Sequence, residues 1–389
     1  MKRYTYIIGM ALFIAIFVFS PVGAEEQKTE LELTKDAKAS LLIERDTGEI
    51  IYEKNAHQKL PPASMTKVMT LLLVMEAIEH KKLTLDEMVT VSERASSMGG
   101  SQVFLSEGEQ MSVEDLIKAV AIASGNDASV TLAERIAGTE EAFVNLMNKK
   151  VEQLNLKNTK FQNSSGLPAK EHYSTAYDMA MIAKELLKYE DIVNYTSIYE
   201  DYLRKGKENE FWLVNTNKLV RFYPYVDGLK TGYTSEAKFC LTATAKKDDM
   251  RVVAVVMGAD TAKNRNTMTM NLIDYAFSHY ESEKLFDKGE TVTNLRHLQS
   301  KNLTYDVKTS EPISLLHKKG ESDQPFTTEI KMNNNVDLPI HLGDEVGTLL
   351  IKKDNELIIE SPLIVEEEVE VASFFDLMKR SIKNIAKFS

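Results

Sequence analysis

Cysteine is almost absent from this chain of 389 residues, and the single Cys240 excludes any intrachain disulfide, so packing alone must hold the fold. Cys240 sits in the apolar run Phe239-Cys240-Leu241-Thr242-Ala243, where a free thiol acts as a small hydrophobe. Basic residues are outnumbered, 47 Lys and Arg against 58 Asp and Glu, and the resulting net charge of −11 argues against a nucleic-acid surface. Seven histidines lie scattered with no His-Glu-x-x-His or paired-cysteine pattern, and no glycine-rich phosphate loop occurs, so neither a metal nor a cofactor is expected. No internal repeat or low-complexity tract is found.

What is present is an ordinary globular balance, 43% hydrophobic and 27% charged, with length for two or three domains of ~100 to 200 residues. Lys2 and Arg3 precede an apolar stretch from Tyr6 to Phe19, and Val22-Gly23-Ala24 supplies small residues for cleavage. Residues 1 to 24 therefore read as a signal peptide, the apolar core being shorter than the ~20 residues of a spanning helix.

Ser40 to Glu44 and Ile50 to Glu53 flank a turn and read as a β-hairpin. Helical spacing follows in Val113 to Ala123, Ala128 to Ile136, Glu140 to Leu154 and Ser174 to Leu187. Strand character returns at Phe211 to Val214, Val226 to Tyr233, Phe239 to Ala245 and Arg251 to Met257, and a helix from Asn264 to Tyr280 closes the unit. Strands at both ends with helices between them predict an α/β (α+β) domain over 25–280, an antiparallel sheet flanked by helices. From Glu281 short strands and turns predict a small all-β domain, 281–368.

The stretch that carries chemistry is Pro61-Pro62-Ala63-Ser64-Met65-Thr66-Lys67, at the mouth of the apolar run Val68 to Ile78. Residues three apart share a helix face, so Ser64 reads as a nucleophile and Lys67 as its base. A serine three before a lysine is a common accident, and Ser235 with Lys238 repeats it. That second copy falls in a turn between strands; only Ser64 opens a long apolar helix.

Ser124-Gly125-Asn126 and Lys230-Thr231-Gly232 follow in order. Ser-x-Asn recurs at Ser300-Lys301-Asn302, whereas Lys-Thr-Gly occurs once, on a predicted strand. Together the three motifs resemble those of penicillin-binding proteins and serine β-lactamases. Asn163-Ser164-Ser165-Gly166-Leu167-Pro168, His172-Tyr173-Ser174-Thr175-Ala176, Asp227-Gly228-Leu229 and Val255-Val256-Met257-Gly258 extend the likeness to exported low-molecular-mass D-alanyl-D-alanine carboxypeptidases, closest in flavour to sporulation-associated ones. The resemblance spans essentially the whole chain and implies a β-lactamase/transpeptidase-like fold. It implies that the enzyme trims peptidoglycan stem peptides and that β-lactam antibiotics acylate Ser64.

The residues support such chemistry. Lowering a lysine from its free pKa by ~3 units takes ~4 kcal/mol, and a second ammonium ~4 Å away at an effective dielectric of ~20 supplies about that. Lys230, with desolvation, is thus expected to hold Lys67 neutral. Ser124 relays a proton to the leaving amine and Asn126 holds a substrate amide. By resemblance the backbone N–H groups of Ser64 and Tyr233 form the oxyanion hole, Tyr233 standing where some relatives carry histidine. Gly232 leaves room for a peptide along the strand edge, Thr231 and Lys230 grip a terminal carboxylate, and Arg265 assists or else forms a helix-start salt bridge. His172 and Asp178 read as packing and hydrogen-bonding groups.

Val371, Phe374, Phe375, Met378, Ile382 and Ile385 fall on one arc of a C-terminal helix, residues 369–389, with Lys379, Arg380, Lys383 and Lys387 on the other. Such a helix lies in a membrane interface; the alternative is docking on the protein's own domain. Glu366, Glu367, Glu368 and Glu370 before it read as a solvated link. The expected location is the outer face of the cytoplasmic membrane. Rival functions are a peptidoglycan DD-endopeptidase, a wall-binding scaffold without catalysis, and a class A β-lactamase. The last lacks its deacylating glutamate, since Val151 occupies that place before Leu154-Asn155.

Overall fold

Met250–Ala259 is buried along its whole length, which a strand tolerates only where both faces of its sheet are covered. Alternation divides its side chains: Val253, Val255 and Met257 enter one apolar cluster, and Val252, Ala254 and Val256 enter another. The sheet has five antiparallel strands in the order Ile50–Lys54, Ala39–Glu44, Met250–Ala259, Lys238–Lys247, Val226–Thr234. The first hairpin thus joins the last strands, and Val226–Thr234 is an edge. This computed structural model describes residues 31–321, 326–333, 336–353 and 356–385. The expected signal peptide lies outside the described residues, as does Lys387.

The larger cluster lies between the sheet and the helices Lys67–Glu79, Val113–Ala121, Asn126–Ala137, Glu140–Gln153 and Ala176–Leu186. Lys67–Glu79 is apolar on nearly every side and is its central helix, ten of its residues being buried. Ala262–His279 covers the opposite face. Cys240 is buried in the sheet, and burial raises its thiol to about 11, so it packs as a hydrophobe.

Ala262–His279 leads directly into Tyr280–Phe286, which pairs with Ile313–Lys318. A second five-stranded sheet follows, ordered Thr291–Arg296, Thr304–Thr309, Glu356–Ile364, Glu345–Lys353, Phe326–Met332, with its own core around Val307, Val346, Leu349 and Leu363. Ser314 Oγ donates to Asp46 Oδ2 at 2.9 Å, and Lys188 pairs with Glu311 at 3.3 Å, tying this β region to the turn of the first hairpin and to the end of the helix Ala176–Leu186.

The acidic stretch is no free link. Val365 and Val369 are buried, Val369 bridges to Ile340 and Val371 to Ser300, and Glu366 and Glu370 pair with Lys308 and Lys301. Val365, Val369 and Ala372 turn inward while the glutamates between them stay exposed, so the charge run hides a segment anchored by its few small apolar side chains. The terminal helix consequently starts at Phe374, and Val371 is not part of it. Among the described residues no helix is long and apolar enough to cross a membrane.

Candidate active site

Pro61-Pro62 leads into a 3₁₀ turn, Ala63–Thr66, which continues into the α-helix Lys67–Glu79. Helical spacing predicts Ser64 in an α-turn; the tighter winding instead eclipses residues three apart. Lys67 Nζ stands 3.3 Å from Ser64 Oγ. Ala63, at a φ of 49°, carries left-handed backbone. The loop Asn163-Ser164-Ser165-Gly166 braces it: Asn163 Oδ1 accepts from the N–H groups of Ser165 (3.2 Å) and Gly166 (2.7 Å). Gly166, at a φ of 86°, comes so close that a Cβ there would stand 1.9 Å from the Ala63 carbonyl oxygen.

Lys67 is fully buried and donates to Asn126 Oδ1 and to the Ser165 carbonyl, both at 2.6 Å. Its pKa is held well below 10.5, first by burial and second by the Lys230 charge, with Asp127 opposing. The expected order is thus reversed, desolvation leading and the second ammonium following. A neutral amine has two N–H donors and one lone pair. Two strong acceptors take the donors, which leaves the lone pair for the Ser64 hydroxyl.

Asn126 begins the helix Asn126–Ala137, and its carboxamide is engaged at both ends, Oδ1 by Lys67 and Nδ2 by the Gly99 carbonyl at 2.7 Å. It orients the base, and because Gly99 takes only one of the two Nδ2 hydrogens, the second is left for a substrate amide. Asp127 beside it accepts from the N–H groups of Val103 (3.0 Å) and Leu105 (3.1 Å), pinning the loop that carries Gly99. Ser124 is 3% exposed with a φ of 66°, and among the described residues its Oγ has no hydrogen-bond partner. A buried hydroxyl left so costs about 1–3 kcal/mol, a cost fit for a group that acts on a bound molecule.

The edge strand brings Lys230, Thr231, Gly232 and Tyr233 alongside. Lys230 is buried, donates to the Thr231 carbonyl at 3.3 Å, and is pulled down to about 7 by burial and then by the Arg265 charge. Arg265, on the helix Ala262–His279, is 6% exposed and is itself lowered to about 10 by burial. Its guanidinium donates twice to Asn266 Oδ1, and among the described residues it forms no ion pair, so the helix-start salt bridge is not what holds it. Arg265, Lys230 and Lys67 form a chain in which each cation discourages a proton on the next. Thr231 Oγ1 donates to Thr216 Oγ1 at 2.8 Å. Gly232 differs from expectation: a Cβ there would meet the Pro62 carbonyl at 2.7 Å, so the glycine lets the strand close on the nucleophile turn itself. Tyr233 is exposed, its ring 4.5 Å from that of Phe239.

His172 Nε2 lies 2.8 Å from Thr66 Oγ1, and burial lowers its pKa to about 4; Asp178 accepts from Thr159 Oγ1 at 2.7 Å. Both are structural supports. Among the described residues no cluster of three metal-ligating side chains occurs. Gly99, Asp127 and Thr216 escape the motif reading, and Asn163 and Ser165 stand in a stretch of the resemblance that assigns them no role. Asp127, in the first turn of a helix, and Asn163, before Ser-Ser-Gly, carry local signals; the other three act through backbone atoms or across the fold and carry none.

Residues 25–261 match the family model described as D-alanyl-D-alanine carboxypeptidase, and residues 280–371 match penicillin-binding protein 5, C-terminal domain. The chain is 50% identical over 388 residues to D-alanyl-D-alanine carboxypeptidase DacF of Bacillus subtilis, covering 100% of each. Penicillin-binding protein 5 from Haemophilus influenzae superposes with a TM-score of 0.66 at 31% identity, over 86% of this chain and 98% of that one. Penicillin-binding protein D2 from Listeria monocytogenes in its ampicillin-bound form gives 0.57 at 32%, over 62% and 98%. With Lys67 set between Ser64 and Asn126 under the charge of Lys230, and with a carboxypeptidase matching it from end to end, the chain belongs to the serine-type D-alanyl-D-alanine carboxypeptidases of the penicillin-binding protein family.

Proposed function

We propose that the enzyme removes the terminal D-alanine of peptidoglycan pentapeptides through an acyl-enzyme on Ser64. The observation that carries this is the bonding of Lys67, whose two donors are used and whose remaining direction is toward Ser64 Oγ. The lone pair takes the hydroxyl proton as Ser64 Oγ attacks the carbonyl of the penultimate D-alanine. The N–H groups of Ser64 and Tyr233 receive the oxyanion. Collapse breaks the C–N bond, and the proton passes from Lys67 through Ser124 to the departing amine of D-alanine. Water, activated in turn by Lys67, hydrolyses the ester. Lys230 and Arg265 hold the leaving carboxylate, and Thr231 joins them by turning its hydroxyl proton from Thr216 to the substrate.

β-Lactams present the same carbonyl, and the relative crystallised with ampicillin supports their acylating this serine. Mass spectrometry after penicillin treatment should find one adduct on the peptide containing Ser64 and none in Ser64→Ala. An adduct retained in that variant would refute the assignment.

The proposed location is the outer face of the membrane, held by the helix Phe374–Ile385. Phe374, Phe375 and Ile382 are exposed at 75%, 72% and 59%, a large apolar surface with the exposed Lys379 on the same helix, while Arg380 donates to the Leu298 and Lys301 carbonyls and ties the helix to the β region. Exposed aromatic and cationic groups on one short helix suit an anionic interface. Removing residues 374–389 should release the protein from anionic vesicles in flotation while leaving penicillin labelling intact. Continued co-flotation would exclude the helix as anchor.

A further inference from the structure

Beside the nucleophile turn lies a groove of about 550 Å³ lined by Ala63, Gly166 and Leu167 together with Thr234 and Glu236 from the end of the edge strand. None of the catalytic groups lines it. Its position relative to the edge strand gives it a place on the substrate, on the reading that Thr231 and Lys230 hold the terminal carboxylate and Ser64 with Tyr233 the scissile carbonyl. An extended chain advances ~3.3 Å per residue. A stem peptide traced back from its carboxyl end therefore passes Tyr233 at the penultimate D-alanine and comes level with Thr234 and Glu236 at the residue before it.

The groove's surface is of two kinds. Leu60, Pro61, Leu167, Pro168 and the Tyr173 ring give apolar walls, suited to a chain of methylenes. The rim carries both signs of charge: Lys59, Lys170, Glu171 and Glu236. Lys59 already lies over the Tyr173 ring at 4.6 Å, and Glu171 pairs with Lys160 at 2.8 Å. Lys170 and Glu236 have no ion partner among the described residues, and both are exposed. One free cation and one free anion at the rim of an apolar channel complement a long side chain ending in an ammonium and a carboxylate together. A side chain ending in an ammonium alone leaves Lys170 facing a like charge.

We propose that this groove is a specificity subsite for the residue preceding D-alanyl-D-alanine, and that it selects a diamino dicarboxylic residue over lysine. Lys170 takes the free carboxylate and Glu236 the free ammonium.

The test compares two synthetic pentapeptides that differ only at that residue, one bearing the ammonium–carboxylate end and one lysine. Penicillin titration of Ser64 counts the competent enzyme in each preparation. The wild type should show at least tenfold higher kcat/KM for the zwitterionic peptide, mostly in KM. Lys170→Ala and Glu236→Gln should each bring the ratio towards one by slowing the zwitterionic peptide. A wild-type ratio near one, or a ratio that neither variant moves, overturns the subsite while leaving the carboxypeptidase reading intact. Cleavage of neither peptide by enzyme that still titrates with penicillin overturns both.

Discussion

Lys67→Arg and Lys67→Met are both expected to slow acylation of Ser64 by about 10²–10⁴, the range that a positioned general base contributes. The pair separates charge from basicity. Arginine keeps a cation but cannot surrender its proton; methionine keeps the volume and loses the amine. If Lys67 merely supplied positive charge, arginine would rescue, whereas a proton acceptor is lost in both. Stopped-flow acylation by a chromogenic penicillin or cephalosporin reads this directly, and methionine within tenfold of wild type would remove Lys67 from the base role.

The pH dependence has two limbs of opposite sign. Lys67 must be unprotonated, so acylation is present above its lowered pKa and is lost as pH falls through it. Lys230 binds a carboxylate only as a cation, so its contribution is present below about 7 and is lost as pH rises. A bound carboxylate favours the charged form and raises that pKa. The high-pH limb should therefore appear in kcat/KM before kcat, as a weakening of binding.

Gly166→Ala should be the most damaging change outside the motifs. A Cβ 1.9 Å from the Ala63 carbonyl oxygen and 2.9 Å from the Ser64 nitrogen cannot be accommodated without moving that peptide. The displaced atoms belong to backbone, so no rotamer change relieves the clash, and the φ of 86° adds strain for any L side chain. The Ser64 N–H is the proposed oxyanion donor; misplacing such a donor costs about 10²–10³ in rate. Acylation should fall by at least that factor with a lower melting temperature, while Gly138→Ala, an open helix-end glycine also at positive φ with no atom within 4 Å, controls for strain alone. Equal effects in the two variants would deny the clash its role.

The sheet and its helices were legible because their signal is periodic. Val252 to Met257 has the composition of a doubly covered strand, and Val68 to Ile78 that of a buried helix. The three motifs are legible because Ser64, Lys67, Ser124 and Lys230 act through side chains, each within a short local pattern, although the patterns themselves lie far apart in the chain. What escaped acts otherwise. Ser165 and Gly99 contribute carbonyl oxygens, which any residue has. Thr216 meets Thr231 from a loop 15 residues away. The left-handed Ala63 owes its conformation to Gly166, 103 positions later, and the 3₁₀ winding of its turn cannot be told from α by spacing. At the tail the amphipathic helix is legible, but the anchoring of Val365 and Val369 among the glutamates is not, because a charge run carries no sign of the distant strands it pairs with.

The pairing of that acidic segment has a mechanical outcome. Because the segment from Val365 to Ala372 is stitched into the β sheet region, no slack chain separates the terminal helix from the body of the enzyme. If the helix lies flat on a bilayer, the catalytic cleft rides at one altitude above it, as on a rigid mast. Only stem peptides passing within that narrow stratum of the wall come within range, and inserting a flexible spacer after Ala372 would widen the layer being trimmed.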